Sequence, residues 1–247
     1  MKVSSTEVQN NFGKYLLLAA EQDIIITRNG TDVARLCSVK DGERPPVIRE
    51  GTLNETAEPY HFKGKKATYE EFLALTQDEK DRYEYIDGEI YLLASPKTAH
   101  QYAISEMLVI FHDWCRGGPC APFVAPYDIR LKRPKRDDPI VVQPDLMVIC
   151  DLDDHLNDSD YYTGVPALIV EVLSESTESK DRVKKLDLYM ETGVREYWIV
   201  SPANKDVTIY HFENREIKRA YTYKQHETAQ SFIFDGLSVD ISRIFKS

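Results

Sequence analysis

Hydrophobic and polar positions alternate with two different periods along the first forty residues. Apolar side chains at helical spacing, Val8, Phe12 and Tyr15 among them, predict an amphipathic helix. Two β-rich segments, residues 24–26 and 33–36, flank the hairpin signal Asn29-Gly30. With a short strand before the helix, this region is predicted to be a small βαββ unit. It buries too little surface to be stable alone, so we expect it to dimerise or to dock.

The pattern changes twice after this unit. Residues 41–66 lose periodicity and gain prolines and glycines, which predicts a linker. A second domain is predicted over residues 67–247. It begins with a short helix in "TYEEFLALT" and a hairpin in "RYEYIDGEIYLL" that turns at Asp87-Gly88. A longer amphipathic helix, "TAHQYAISEMLVIFHDWC", follows.

Apolar runs then predict strands over residues 123–131, 141–150 and 167–173. A helix over about residues 178–191, with Val183, Leu186 and Met190 marking its core side, leads to a strand at 196–200. This strand–helix–strand order predicts a right-handed crossover and parallel pairing. The last strands, in "VTIYHF", "AYTY" and "SFIFDGLSVDI", are predicted to be antiparallel. The fold class is α/β (α+β), a mixed sheet flanked by helices.

Two acidic residues interrupt strongly apolar segments of the second domain. Asp145 lies within "VVQPDLMVIC" and Glu171 within "PALIVEVLS". A carboxylate in an apolar strand is costly unless it is paired or bound to a cation. Two neighbouring strands can aim both acids at one point, where they would hold a divalent metal. The pattern is equally consistent with each acid meeting an internal arginine or lysine.

Hydrolysis of a phosphodiester at a metal ion is commonly assisted by a lysine. The residue that shares a strand face with Glu171, two positions on, is Leu173, so the strand supplies none. Lys185 on the following helix comes back within reach of Glu171. Lys184, one residue earlier, points about 100° away, and the helix face alone does not decide between the two lysines. On spacing alone, a surface pair between Asp181 and Lys185 at i,i+4 is the simpler interpretation.

Several further side chains are candidates. His100 opens the long helix and either contacts the site or caps the helix, while Asp128 either joins the acids or pairs with Arg130. A basic run precedes the Asp145 strand and suits contact with a nucleic-acid backbone. A solvated hairpin tip explains this run as well. The basic run consists of Arg130, Lys132, Arg133, Lys135 and Arg136.

Composition limits these interpretations. The chain has 247 residues, enough for a substantial core, and a formal charge of -10, which argues against a large DNA-coating surface. No apolar run is long enough to span a bilayer, and the N-terminus does not resemble a secretory signal. The four cysteines lack metal-binding spacing, so we expect reduced thiols in a cytoplasmic protein: Cys37, Cys115, Cys120 and Cys150.

Residues of about 67–245 resemble the Uma-two family of restriction endonucleases, in the PD-(D/E)XK nuclease superfamily. The matching stretches include "RYEYIDGEIY", "QPDLMVI" and "ALIVEVLSESTESKDRVKKLDLYMETGVREYWIVSP". The resemblance implies that Asp145 and Glu171 bind Mg²⁺ or Mn²⁺ and that Glu84 is a further acid. It also implies that Lys185 is the catalytic lysine, relocated from strand to helix, and it favours this role over the surface pair.

The segment "MKVSSTEVQNNFGKYLLLAAEQDIIITRNGTDVARL" resembles the N-terminal half of Phd/YefM-type antitoxins. The resemblance implies that residues 1–40 form a homodimer and bind operator DNA, with Lys14, Arg28 and Arg35 at the phosphates. The toxin-neutralising tail of that family is replaced here by a folded domain, which argues against a toxin partner.

The leading hypothesis is therefore a metal-dependent endonuclease that cleaves DNA and carries an antitoxin-like module. The alternative is a DNA-binding autoregulator whose nuclease domain is degenerate, which the net negative charge favours. A hydrolase acting on another substrate through paired acids is a third hypothesis, because fold alone does not fix the substrate.

Overall fold

The computed structural model describes residues 2–4, 8, 15, 19, 23–28, 31–36, 65–76, 81–134, 136–174 and 180–245. The chain divides into two compact units, Met1–Glu58 and Pro59–Ser247. Most of the predicted linker lies outside the described residues. Its last two residues, Lys65 and Lys66, form a strand of the second unit.

The first unit contains three strands: β1 (Lys2–Ser4), β2 (Ile24–Arg28) and β3 (Thr31–Leu36). Strand β1 runs parallel to β2, and β3 is antiparallel to β2, as the hairpin pattern predicts. Val8, Tyr15 and Ala19 are helical and buried, and they share a small apolar cluster with β1 and β2. The predicted turn Asn29-Gly30 and the side chain of Arg28 lie outside the description.

A five-stranded sheet begins the second unit, with strand order β4-β6-β5-β9-β8. Helix α1 (Tyr69–Thr76) packs Phe72 against Tyr85 of this sheet. The β5–β6 hairpin turns at Asp87 and Gly88, which both have positive φ angles, as the two-residue turn requires. The strands are β4 (Lys65–Lys66), β5 (Arg82–Ile86), β6 (Glu89–Leu93), β8 (Ile129–Leu131) and β9 (Ile140–Val142).

A six-stranded sheet with order β14-β13-β12-β11-β10-β7 forms the centre of this unit. Strands β11 and β12 are parallel, as the crossover pattern predicts, and the other neighbours are antiparallel. Its strands are β7 (Ala121–Val124), β10 (Leu146–Ile149), β11 (Leu168–Val172), β12 (Glu196–Ser201), β13 (Asp206–Glu213) and β14 (Glu216–Lys224).

Helices cover both faces of the central sheet. On one face, α2 (Thr98–Cys115) buries Met107 and Phe111 in a cluster that includes Trp198 of β12. On the other face lie a short helix, α3 (Leu152–His155), and a π-helix (Lys180–Lys185). The π-helix continues directly into α4 (Leu186–Thr192). The pair β15 (Thr228–Gln230) and β16 (Ser238–Asp240), followed by α5 (Ile241–Ile244), completes the described fold.

Two predicted strands are each divided between the two sheets. Residues 121–124 and 146–149 belong to the central sheet, whereas residues 129–131 and 140–142 belong to the five-stranded sheet. The breaks contain Pro126 and Pro144, which cannot donate to a ladder, so the pairing ends there and the chain changes sheet. Likewise, "SFIFDGLSVDI" contributes only Ser238–Asp240 as a strand.

The predicted core side of the helix after β11 is confirmed for Leu186 and Met190, which are half-buried and pack against the core, and is wrong for Val183. Val183 is 68% exposed, whereas Asp181 and Lys185 are buried. Residues 181, 185 and 189 are four apart and face the sheet together. The π-helical turn changes the number of residues per turn, so an apolar pattern read at the α-helical period misses this face.

The expectation of four reduced thiols is also wrong. Cys120 and Cys150 lie on adjoining ends of β7 and β10 and form a disulfide, while Cys115 is free and buried. Cys37 lies outside the described residues. Among the helices that the structure describes, none is both long and apolar enough to cross a membrane.

Candidate active site

Asp145 and Glu171 meet on neighbouring strands of the central sheet. Glu171 is in the middle of β11 and is 3% exposed, and Asp145 immediately precedes β10. Leu146 pairs with Val170 in this antiparallel ladder. One further step of the register sets Asp145 opposite Glu171, so both side chains point to the same face. The backbone N–H of Val172 donates to Asp145 Oδ2 at 2.8 Å and holds that carboxylate at the strand end.

Lys185 reaches Glu171 from the π-helix, which packs across the sheet. Its Nζ lies 2.7 Å from Glu171 Oε1 and 2.8 Å from Glu84 Oε1, and its side chain is 3% exposed. The hydroxyl of Tyr189, one turn further along, also donates to Glu171 Oε1 at 2.7 Å. Asp181 is 3.8 Å from the Lys185 amine, but both side chains are buried, so the predicted surface pair is not at the surface.

Glu84 comes from the five-stranded sheet and is completely buried in β5. Lys180 donates to its Oε2 at 2.6 Å, and the backbone N–H of Gln143 donates to its Oε1 at 3.1 Å. Burial opposes ionisation of this carboxyl, but the charges of Lys185 and Lys180 outweigh burial and lower its pKa to about 2. Glu84 is therefore an anchor for two lysines.

At Glu171, in contrast, burial outweighs the neighbouring positive charge. Burial raises the pKa of Glu171 to about 8; Lys185 opposes the rise, and Asp145, Asp181 and Glu84 add to it. Four carboxyl groups thus share this region with two lysines, Lys180 and Lys185. If all were ionised, two negative charges would remain, which equals the charge of one divalent cation.

Three of these acids, Asp145, Glu171 and Asp181, border a cavity of about 420 Å³. Within the described parts of the chain, no three histidine, cysteine, aspartate or glutamate side chains form a group that could hold a metal ion. Magnesium, however, needs only one or two carboxylates and keeps water and phosphate as its other ligands. Among the described residues, Asp145 Oδ1 and Glu171 Oε2 accept no hydrogen bond, so each acid has an oxygen available. The donor set therefore fits a Mg²⁺ or Mn²⁺ ion.

His100 and Asp128 lie in different surroundings. The Nε2 of His100 is 3.1 Å from Asp145 Oδ2, so the third residue of α2 touches one of the central acids. Asp128 is exposed and accepts a hydrogen bond from the Gln143 side chain at 2.8 Å. It neither joins the acids directly nor pairs with Arg130.

The basic run does not form one surface. Arg133 is 4% exposed and its guanidinium contacts Asp87, Asp187 and Glu191, which makes it a structural residue; its predicted role in nucleic-acid contact is wrong. Burial opposes the charge on Arg133, but these acids raise its pKa.

The other members of the basic run lie in separate places. Arg136 pairs with Asp87 and Lys132 with Asp137. Arg130 is exposed. Lys135 lies outside the described residues.

Two functional candidates were missed from the sequence. Lys180 lines the cavity and binds Glu84, and Tyr189 holds Glu171. Tyr189 follows Lys185 by four residues, a spacing that places both on one helix face. This spacing could have identified Tyr189, whereas Lys180 is indistinguishable in sequence from a solvated helix-start lysine.

Comparisons with known proteins give a family and a shared fold for this chain. The Uma2 family, described as "Putative restriction endonuclease", matches residues 69–242. An "Uncharacterized protein slr1290" from Synechocystis sp. (strain ATCC 27184 / PCC 6803 / Kazusa) is 29% identical over 147 residues, 59% of this chain and 74% of that protein.

A crystal structure of "a putative nuclease belonging to DUF820" from Anabaena variabilis ATCC 29413 superposes with a TM-score of 0.58. It is 18% identical, and the match covers 72% of this chain and 97% of that one, which shows a shared fold. The family match spans more than half of the chain and contains Glu84, Asp145, Glu171 and Lys185. The chain therefore belongs to the Uma2 family.

Proposed function

We propose that this protein is a metal-dependent nuclease that hydrolyses phosphodiester bonds of DNA, with Asp145 and Glu171 as ligands of Mg²⁺ or Mn²⁺. One observation carries the proposal: Asp145, just before β10, lies beside Glu171 of the neighbouring strand β11, and the Lys185 amine lies 2.7 Å from Glu171 at the wall of the cavity. The family description, "Putative restriction endonuclease", and the name of the Anabaena structure support the same reaction.

Each side chain has a distinct role in this proposal. A bound divalent cation would supply charge neutralisation at the phosphate and would lower the pKa of a water molecule. Lys185 places a positive charge beside the reacting phosphate, which stabilises the charge that develops on its oxygens. Glu84 acts as a positioning residue, because it holds the amines of Lys185 and Lys180 from the second sheet. Tyr189 orients the Glu171 carboxylate.

Cleavage assays on plasmid and linear DNA test this assignment. We expect Asp145→Asn and Lys185→Met each to lower Mg²⁺-dependent cleavage by about 10²–10³-fold, the usual loss for a group that stabilises a transition state. Matched controls are Asp128→Asn, an exposed acid outside the cluster, and Lys184→Met, the neighbouring lysine on the same helix. Both controls should retain cleavage. The proposal is contradicted if the wild-type protein cuts no DNA with either metal, or if the Asp145→Asn and Lys185→Met variants cleave DNA as fast as the wild type.

We also infer that residues 1–40 are a dimerisation and operator-binding module. Support comes from the β1-β2-β3 sheet with its own small apolar cluster, in a unit separate from the nuclease-like one. Within this unit Lys2 pairs with Asp32 and Arg35 with Asp23, both at exposed positions where DNA phosphates can compete for the cations. This module is the basis of the second candidate function, a DNA-binding autoregulator.

A further inference from the structure

The cations that line the active-site cavity differ in how their charge is balanced. Among the described residues, four lysines and arginines line it: Arg82, Lys97, Lys180 and Lys185. Glu84 accepts hydrogen bonds from Lys180 and Lys185, so both lysines are paired with a buried acid. Lys97 is exposed at the start of α2. Arg82 is half-buried, and its side chain forms no hydrogen bond or ion pair within the described part of the chain.

Arg82 lies on the same face of β5 as Glu84. Side chains alternate between the two faces of a strand, so residues 82 and 84 point to one side and Tyr83 and Tyr85 to the other. The two tyrosines belong to the apolar cluster packed under α1, and Arg82 points to the cavity. Two residues advance a strand by about 7 Å, so Arg82 follows the anchor of the two lysines at that distance.

We propose that Arg82 is a substrate-binding residue whose guanidinium holds the phosphate next to the scissile one on the same nucleic-acid strand. The contact rests on the proposed nuclease function, in which the scissile phosphate lies beside Lys185. The step of about 7 Å along β5 is close to the step between successive phosphates of an extended strand. A guanidinium binds a phosphate through two parallel hydrogen bonds, which fixes the orientation of the strand as well as its position.

The charge of Arg82 is not spent on the acids of the site. The main influences on the pKa values of Glu84 and Glu171 are burial, the two lysines and neighbouring acids. An arginine that serves the fold pairs with acids, as Arg133 does with three of them. Arg82 therefore has its five N–H donors available for an anion that enters the cavity.

Steady-state cleavage of DNA by the full chain tests this role. A contact with a phosphate that does not react is equally strong before and in the transition state. Arg82→Met should therefore raise KM about tenfold or more and change kcat by less than about twofold. Arg82→Lys keeps the charge but not the two parallel hydrogen bonds, so its KM should be intermediate. An Arg82→Met protein with the KM of the wild type overturns the proposal.

Arg219→Met is the matched control. It removes an exposed arginine of β14, no residue of which lines the cavity, and should leave KM unchanged. Both arginine-to-methionine variants should melt within about 2 °C of the wild type, because neither side chain loses an ion pair. A clearly lower Tm for Arg82→Met alone would assign Arg82 a structural role and contradict the phosphate contact.

DNA binding separates the contact from the fate of the proposed reaction. Lys185→Met keeps the DNA intact, so binding of a labelled oligonucleotide, unrelated to the chain's upstream DNA, can be followed by fluorescence anisotropy. Adding Arg82→Met should weaken binding and reduce the slope of log K against log salt by about 0.9 for duplex DNA or about 0.7 for a single strand. An unchanged slope contradicts the contact. A reduced slope in a protein that cuts no DNA would keep the contact and remove the reaction.

Discussion

Glu171 lies among more negative charge than its neighbours neutralise. Lys185 and Tyr189 both donate to its Oε1, yet burial and three nearby acids raise its pKa to about 8. Despite Lys185, a carboxyl group in this position costs folding free energy whenever it is ionised without a bound metal ion. This cost supports the proposed binding site, because a core built for stability alone would place an apolar residue there.

The substitution Glu171→Gln tests how the charge of this residue affects the stability of the metal-free protein. The folded pKa of Glu171 is above its unfolded value of about 4.5, so the unfolding free energy of the metal-free protein should fall as pH rises from about 4.5 to about 8. Glu171→Gln removes this loss. In a chelating buffer at pH 8 we expect its Tm to exceed that of the wild type by several degrees, at about 2–4 °C per kcal/mol.

Magnesium should reverse the order of these Tm values. The ion should raise the Tm of the wild type and leave that of Glu171→Gln unchanged, as measured by scanning calorimetry. Glu70→Gln, at an exposed position of α1, is the control and should behave like the wild type. A Glu171→Gln protein that is less stable than the wild type at pH 8 without metal would contradict this account of the charge balance.

At the scale of elements, two sheets and one helical segment must be held together to build the site. The segment formed by the π-helix and α4 carries Lys185, β5 carries Glu84, and β11 carries Glu171. Arg133 ties two of these elements: it contacts Asp87 in the β5–β6 turn, and Asp187 and Glu191 on α4. The guanidinium thereby fixes the distance between the hairpin of Glu84 and the helical segment of Lys185.

Removal of this tie should destabilise the fold. We expect Arg133→Met to lower the unfolding free energy by about 2 kcal/mol, because three acids lose their shared cation. Lys132→Met, at the exposed neighbouring position, should change it by less than about 0.5 kcal/mol. Urea denaturation measures both. Equal effects of the two substitutions would show that Arg133 has no special structural role.

At the scale of the whole molecule, the chain joins two separate compact units, and the Uma2 family match covers most of the second. The proposed nuclease chemistry belongs to that second unit, since every described residue of the candidate site lies within it. The proposed operator binding belongs to the first unit.

Deletion of residues 1–58 tests this division of roles. We expect the shortened chain to lose binding to the DNA upstream of its own coding sequence in a band-shift assay and to retain Mg²⁺-dependent cleavage. The full-length Lys185→Met protein should show the opposite behaviour, with binding kept and cleavage lost. A band shift that survives the deletion would remove the first unit as the operator-binding module.

The sequence by itself determined the local structure of the chain and the positions of its buried acids. The turn at Asp87-Gly88, helix α2 and the parallel pair β11–β12 follow from short-range patterns, because turn chemistry and apolar periodicity act over a few residues. The apolar surroundings of Asp145 and Glu171 in the sequence already predicted that each acid interrupts an apolar strand, and that the two strands could lie side by side.

Only the tertiary structure decided which charges meet. Arg133 and Arg130 are two residues apart in the same basic run, yet one is buried among three acids and the other is exposed. Lys180 and Glu84 are 96 residues apart and form an ion pair between different elements. Burial and pairing of a charge depend on which distant elements pack around it, and that information is absent from any local window of sequence.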